Sequence, residues 1–168
     1  MMKWSIALLV VIGAAWVFWP PVYSATARPE ADVEITLSIW PMQSLHSDWH
    51  RQITVRSGGS RIKMRLFGDT GWWRGSNLYV HSSGAYILHE GQNGCIAFTV
   101  NPANFIGVPA GVCNKHDFPE TTENPGSRYY RDLTYLGHFS ETHQDAEGVR
   151  LRFLDPGGTP EVELPEML

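Results

Sequence analysis

The sequence predicts an all-β domain, an antiparallel β-sandwich or flattened barrel of eight or nine short strands, preceded by an N-terminal signal or anchor helix. Three observations carry this prediction. Turn residues recur at short intervals, at Gly58-Gly59, Gly68 to Gly71, Ser83-Gly84, Asn93-Gly94 and Pro156-Gly157-Gly158. The runs between them are rich in Val, Ile, Tyr and Phe, the residues that fit a pleated surface. After residue 24 no apolar period of a helix is sustained.

Residues 1 to 27 stand apart from the domain. Lys3 precedes an uncharged run from Trp4 to Trp19 in which Ser5 is the one polar residue, the pattern of an export signal. Ala25-Thr26-Ala27 supplies the small-x-small triplet for cleavage before Arg28, whereas Trp16, Trp19 and Tyr23 would suit the interface of a retained membrane anchor. As a helix the run would span roughly 24 Å, short of a ~30 Å hydrocarbon core, which favours cleavage. Either outcome places residues 28 to 168 in the periplasm or on the extracytoplasmic side of a membrane.

The 168 residues carry a formal charge of −4, and beyond residue 27 the chain loses one cation and no acid. A net acidic domain argues against nucleic acid as a partner. Cys95 and Cys113 would meet an oxidising compartment, so a bridge between them is expected, worth roughly 3 kcal/mol. Two isolated cysteines are not a metal site, and no cofactor is implied.

The strands follow in order: Val33 to Trp40, Arg51 to Arg56, Arg61 to Phe67, Asn77 to Ser82, Ala85 to Gly91, Cys95 to Val100, Tyr129 to Phe139, Val149 to Leu154 and Glu161 to Leu164. Asn101 to Ser127, with Pro102, Pro109, Pro119 and Pro125, reads as a long irregular loop that Cys113 staples to the sheet. A two-residue turn at Gly58-Gly59 sets Val55 opposite Ile62, Ile53 opposite Met64 and Arg51 opposite Leu66 on a core face. The other face then pairs Arg56 with Arg61, Thr54 with Lys63 and Gln52 with Arg65. Two-residue turns at Ser83-Gly84 and Asn93-Gly94 put Leu78, Val80, Ile87, His89, Ile96, Phe98 and Val100 on one apolar face. A loop over Pro156 to Thr159 sets Phe153 against Val162, Leu151 against Leu164 and Arg152 against Glu163.

Four stretches carry chemical interest. Arg56, Arg61, Lys63 and Arg65 share one side of a hairpin, and no carboxylate partner for that face is visible in the sequence. His46, Asp48 and His50 alternate along His46-Ser47-Asp48-Trp49-His50, but they continue the parity of those cations, which would repel a divalent metal. Trp72, Trp73 and Arg74 lie in Gly71-Trp72-Trp73-Arg74-Gly75. Adjacent strand residues face opposite ways, so one Trp is expected in the core and the other at an edge or binding rim. Ser60-Arg61-Ile62-Lys63 matches the S-x-x-K spacing of serine penicillin-binding enzymes over four residues only, with its Ser on the opposite face to its Lys and neither companion motif present.

No nucleophile elbow, zinc-protease helix or phosphate loop occurs in the sequence. The pattern therefore points to a non-catalytic exported envelope protein. It would bind or scaffold, meeting lipid headgroups, acidic polysaccharide, an acidic protein or another envelope component through its basic strand face. The alternative is a small exported metal-dependent or hydrolytic enzyme built on His46, Asp48 and His50, with a Trp at the cleft.

Overall fold

The computed structural model describes residues 20–42, 49–67, 73, 75–109, 112–113, 132–142, 150–158 and 161–162. Ten strands are present among them: β1 (Tyr23–Glu30), β2 (Val33–Pro41), β3 (Trp49–Ser57), β4 (Ser60–Arg65), β5 (Ser76–His81), β6 (Tyr86–His89), β7 (Cys95–Val100), β8 (Ala103–Ile106), β9 (Leu133–Glu141) and β10 (Leu151–Leu154). They form two antiparallel sheets, one ordered β1-β2-β3-β4 and one ordered β10-β9-β5-β6-β7-β8. The fold is all-β and sandwich-like. Among the described residues no helix is long and apolar enough to cross a membrane; the run from Trp4 to Trp19 lies outside them.

Strand alternation builds the main core between the sheets. Val33, Ile35, Leu37 and Ile39 are every second residue of β2, and all four are fully enclosed. They join Ala25, Ala27, Ile53 and Val55 from the four-stranded sheet and Leu78, Tyr86, Leu88, Phe98 and Phe139 from the other. A smaller cluster covers the outer side of the six-stranded sheet, where Val112 packs on Tyr79, Ile87 and Ala97 beside Cys95 and Cys113. The Cys95–Cys113 disulfide pins that segment down.

The Gly58-Gly59 hairpin has the expected register, Val55 opposite Ile62, Ile53 opposite Met64 and Arg56 opposite Arg61. Both glycines adopt positive φ there, as a two-residue hairpin turn requires. The next two hairpins differ from expectation. His81 N–H donates to the Ala85 carbonyl and Gly84 N–H to the His81 carbonyl, both at 2.8 Å, which makes a three-residue loop closed by Gly84 at φ 84°. Between β6 and β7 a short 3-10 turn, Gly91–Asn93, replaces the two-residue turn. Each loop shifts the pairing by an odd number of residues, and an odd shift reverses faces. The two reversals cancel for Leu78, Val80, Ile96 and Phe98, which share the main core or its margin, but Ile87 and His89 face the opposite side.

Three further expectations are corrected. β1 is a strand where the sequence reading placed the end of the leader: Ala25-Thr26-Ala27 is its middle, paired to β2, with Ala25 and Ala27 in the core. The segment after Asn101 is not wholly irregular, because Ala103–Ile106 returns along β7 as β8. Finally, Phe153 pairs with Phe139 and Leu151 with Glu141 on β9, and Val162, expected opposite Phe153, lies in no strand and accepts from Asn77 Nδ2 through its carbonyl. The pairing of Leu151 with Leu164 lies outside the described residues. The pairing of Arg152 with Glu163 falls outside the described residues, as does the start of the predicted strand Tyr129 to Phe139.

Candidate functional site

β2 and β3 pair over nine consecutive residues, so the outer face of the four-stranded sheet follows from register. Its rows run Ser24, Ser38, Gln52, Arg65, then Thr26, Thr36, Thr54, Lys63, then Glu34, Arg56, Arg61. Alternation thus brings together all four of the predicted basic residues. Arg61, Lys63 and Arg65 stand exposed along the edge strand β4, two residues apart. Successive side chains on one face of a strand lie about 6.8 Å apart, so the three charges form a column.

The expectation that this face has no acidic partner is corrected, because β2 pairs with β3 and brings Glu34 beside Arg56. Glu34 on β2 accepts from Arg28 at 2.8 Å and lies 3.5 Å from Arg56. Its carboxyl is held below the usual range, first by the Arg28 hydrogen bond and charge and further by Arg56. Arg56 is therefore shared, whereas Arg61 and Lys63 make no ion pair with a described residue. A shallow depression of about 480 Å³ opens beside Arg56 and Arg61, but Asp32 and Glu34 also line it, so it has no net bias for an anion.

At the other end of the face, Trp40, His50 and Arg65 meet. The Arg65 guanidinium lies over the Trp40 ring at 5.8 Å and its Nη2 is 3.1 Å from His50 Nδ1. Burial and, secondarily, Arg65 push the His50 pKa down. A guanidinium only donates, so the imidazole accepts through Nδ1 in its neutral form. Of the predicted His46, Asp48, His50 group, only His50 is described; His46 and Asp48 lie outside the described residues.

Trp72 and Arg74 also lie outside them. Trp73 is buried: its indole N–H donates to Ser76 Oγ at 3.0 Å, and the Arg51 guanidinium covers its ring at 5.1 Å. It belongs to the core and not to an exposed rim. Around it sits a polar cluster that sequence reasoning missed. Arg51 Nη1 donates to Glu90 Oε1 at 2.7 Å with both side chains enclosed, Ser76 Oγ donates to the same oxygen at 3.1 Å, and Arg51 Nη2 donates to the Phe67 carbonyl at 2.9 Å. This pair ties β3 to the end of β6 across the sandwich. Only its cation was marked in the sequence, where the core face of the hairpin ends on Arg51.

A second buried network lies on the other sheet. Asn77 Oδ1 and His138 Nδ1 are 2.7 Å apart, while Asn77 Nδ2 donates to the Val162 carbonyl at 2.7 Å and lies 2.9 Å from Tyr79 Oη. Tyr79 in turn donates to Glu161 at 2.8 Å. The network holds residues 161–162 against the sheet, and no local spacing announces it because its members are up to 85 residues apart.

The register change also brings a ring nitrogen of His89 and the sulfurs of Cys95 and Cys113 within 4.8 Å of one another. Three such groups resemble a partial metal set, but the disulfide uses both sulfurs, and a metal takes thiolates. Burial pushes the His89 pKa down to about 4.

No protein-family model matches this chain, and neither a curated protein nor a solved structure matches it.

Proposed function

We propose that the protein is a non-catalytic, exported binding module that meets an anionic partner of the cell envelope through the outer face of its four-stranded sheet. The observation that carries this reading is the column of Arg61, Lys63 and Arg65 on β4, beside flat rows of Ser and Thr that leave the cations accessible. In a domain that is acidic as a whole, cations gathered on one face steer and orient an anionic surface or polymer. Export is supported by the apolar run from Trp4 to Trp19 and by the Cys95–Cys113 bridge, a linkage suited to oxidising compartments. The buried ionisable groups Arg51, Glu90 and His138 are enclosed within the fold, where they serve packing rather than substrate contact.

The test is retention of the full-length protein on a heparin-type resin as salt is raised. The wild type should elute late, and the double variant Arg61→Glu, Arg65→Glu should flow through at physiological ionic strength. Equal elution of the two proteins, with the variant folded, would discard the proposal.

A further inference from the structure

Resting on the reading just given, we infer that the partner is an anionic lipid bilayer, the one holding this chain's own retained N-terminal run. The sandwich would dock on it by the end that carries Val22, Trp40, His50, Arg65 and Phe67.

The register identifies that end. Tyr23 pairs with Ile39, Ile39 with Arg51, and the Arg51 carbonyl accepts from Leu66 N–H, so these four form one row. One residue further along each segment come Val22, Trp40, His50 and Phe67, at the outermost edge of the sheet's outer face. Phe67 is 74 % exposed and Val22 62 %, the two most exposed large apolar side chains among the described residues. The other two, Ile106 and Val108, leave β8 toward the Cys95 end of the second sheet, which is the end that Glu90 shares with Arg51. Large apolar side chains left in water on one rim mark a contact surface.

Chemistry at the rim points to lipid. Trp40 under the Arg65 guanidinium, with Lys63 and Arg61 rising behind, combines an amphipathic ring, a long cation that can reach headgroups, and further positive charge near the surface. Of the described acids at this end, Glu90 is paired with Arg51 inside the fold and Glu141 accepts from the Trp49 indole at 2.9 Å.

The chain's own path favours the same occupant. Cleavage before Arg28 would strip Tyr23–Ala27 from β1, removing Ala25 and Ala27 from the core and uncovering β2 from Ile35 to Ile39. A chain that keeps β1 keeps Tyr23, and only Pro20, Pro21 and Val22 separate it from the uncharged run ending at Trp19. Three residues reach at most about 10 Å. With the run in a bilayer, the domain stays within reach of the surface, where the cations decide whether it docks, and the tether enters at the row that holds the exposed apolar side chains.

The experiment is hydroxyl-radical footprinting, read by mass spectrometry, of the full-length protein in nanodiscs of phosphatidylcholine alone and of phosphatidylcholine with phosphatidylglycerol. Oxidation of Trp40 and Phe67 should fall roughly fivefold in the anionic discs, about the effect of one surface cation on lipid binding, with His81 at the opposite end unchanged. Arg65→Glu should restore labelling. Equal labelling in the two bilayers overturns the inference, as does an exported form beginning at Arg28. Protection that disappears on dilution without lipid identifies a second copy of the chain and also overturns it. Retention on the heparin-type resin together with equal labelling removes the bilayer but leaves the anionic-face reading standing; loss of both removes the two together.

Discussion

Replacing Arg51 with Met removes the cation 2.7 Å from Glu90 while keeping most of the side-chain volume. Both side chains are almost wholly enclosed, at 0 % and 1 % exposure, so water cannot take over the lost contact. With charge centres about 4 Å apart and an effective dielectric near 20, the lost attraction is roughly 4 kcal/mol. Breaking one side of a buried pair costs about 3 to 5 kcal/mol by the same reasoning. The donated bond from Arg51 to the Phe67 carbonyl adds about 1 kcal/mol. Arg51→Met should therefore lower the unfolding free energy by about 5 kcal/mol, a large share of the ~5–15 kcal/mol typical of a domain. Glu90→Leu alone should cost a similar amount, because it strands the guanidinium. The double variant Arg51→Met, Glu90→Leu should recover much of the loss, since an apolar pair of similar volume needs no charge partner. Urea titrations of the four proteins give the coupling energy directly, and at least ~2 kcal/mol is expected. A coupling below about 0.5 kcal/mol would refute the claim that this pair joins the two sheets.

Three other outcomes follow from the geometry. The His89 pKa falls from 6.5 to about 4 on folding through burial, so the unfolded chain binds the extra proton between those values; stability should be full above about pH 6.5 and decline by roughly 3 kcal/mol as pH falls toward 4, and urea titrations across that range should show a flatter curve for His89→Leu. Gly75→Ala should cost more than about 3 kcal/mol in a denaturation series, because at φ 111° its new Cβ would collide with the His138 ring and the Phe139 carbonyl, whereas Gly84→Ala at φ 84° meets open space and should cost only about 1 kcal/mol. Cys113→Ser should lose roughly 3 kcal/mol by opening a link across 18 residues, with an equal loss on reducing the wild type; a difference under about 1 kcal/mol would mean the bridge contributes little.

Much of the basic face was legible in the sequence for a local reason. Gly58 and Gly59 admit one tight turn, and from that turn the positions of Arg56, Arg61, Lys63 and Arg65 follow by alternation. The Ser83-Gly84 turn was misread because a glycine at positive φ serves both a two-residue and a three-residue loop. That one-residue ambiguity moved Ile87 and His89 to the wrong side. β1 was masked by its own composition: Ala25-Thr26-Ala27 suits a cleavage site and also an edge strand whose small residues pack on β2.

Taken alone, the sequence determined what depends on near neighbours: the all-β class, the central hairpin, the column of cations and the two cysteines. The tertiary structure alone decided what depends on which sheet faces which. It set Glu90 against Arg51 and Glu34 between Arg28 and Arg56, buried Trp73, and drew His89 to the disulfide. The reason is that alternation specifies the side of a strand on which a residue lies, while its partner across the core or on the adjoining strand depends on loop lengths and sheet stacking.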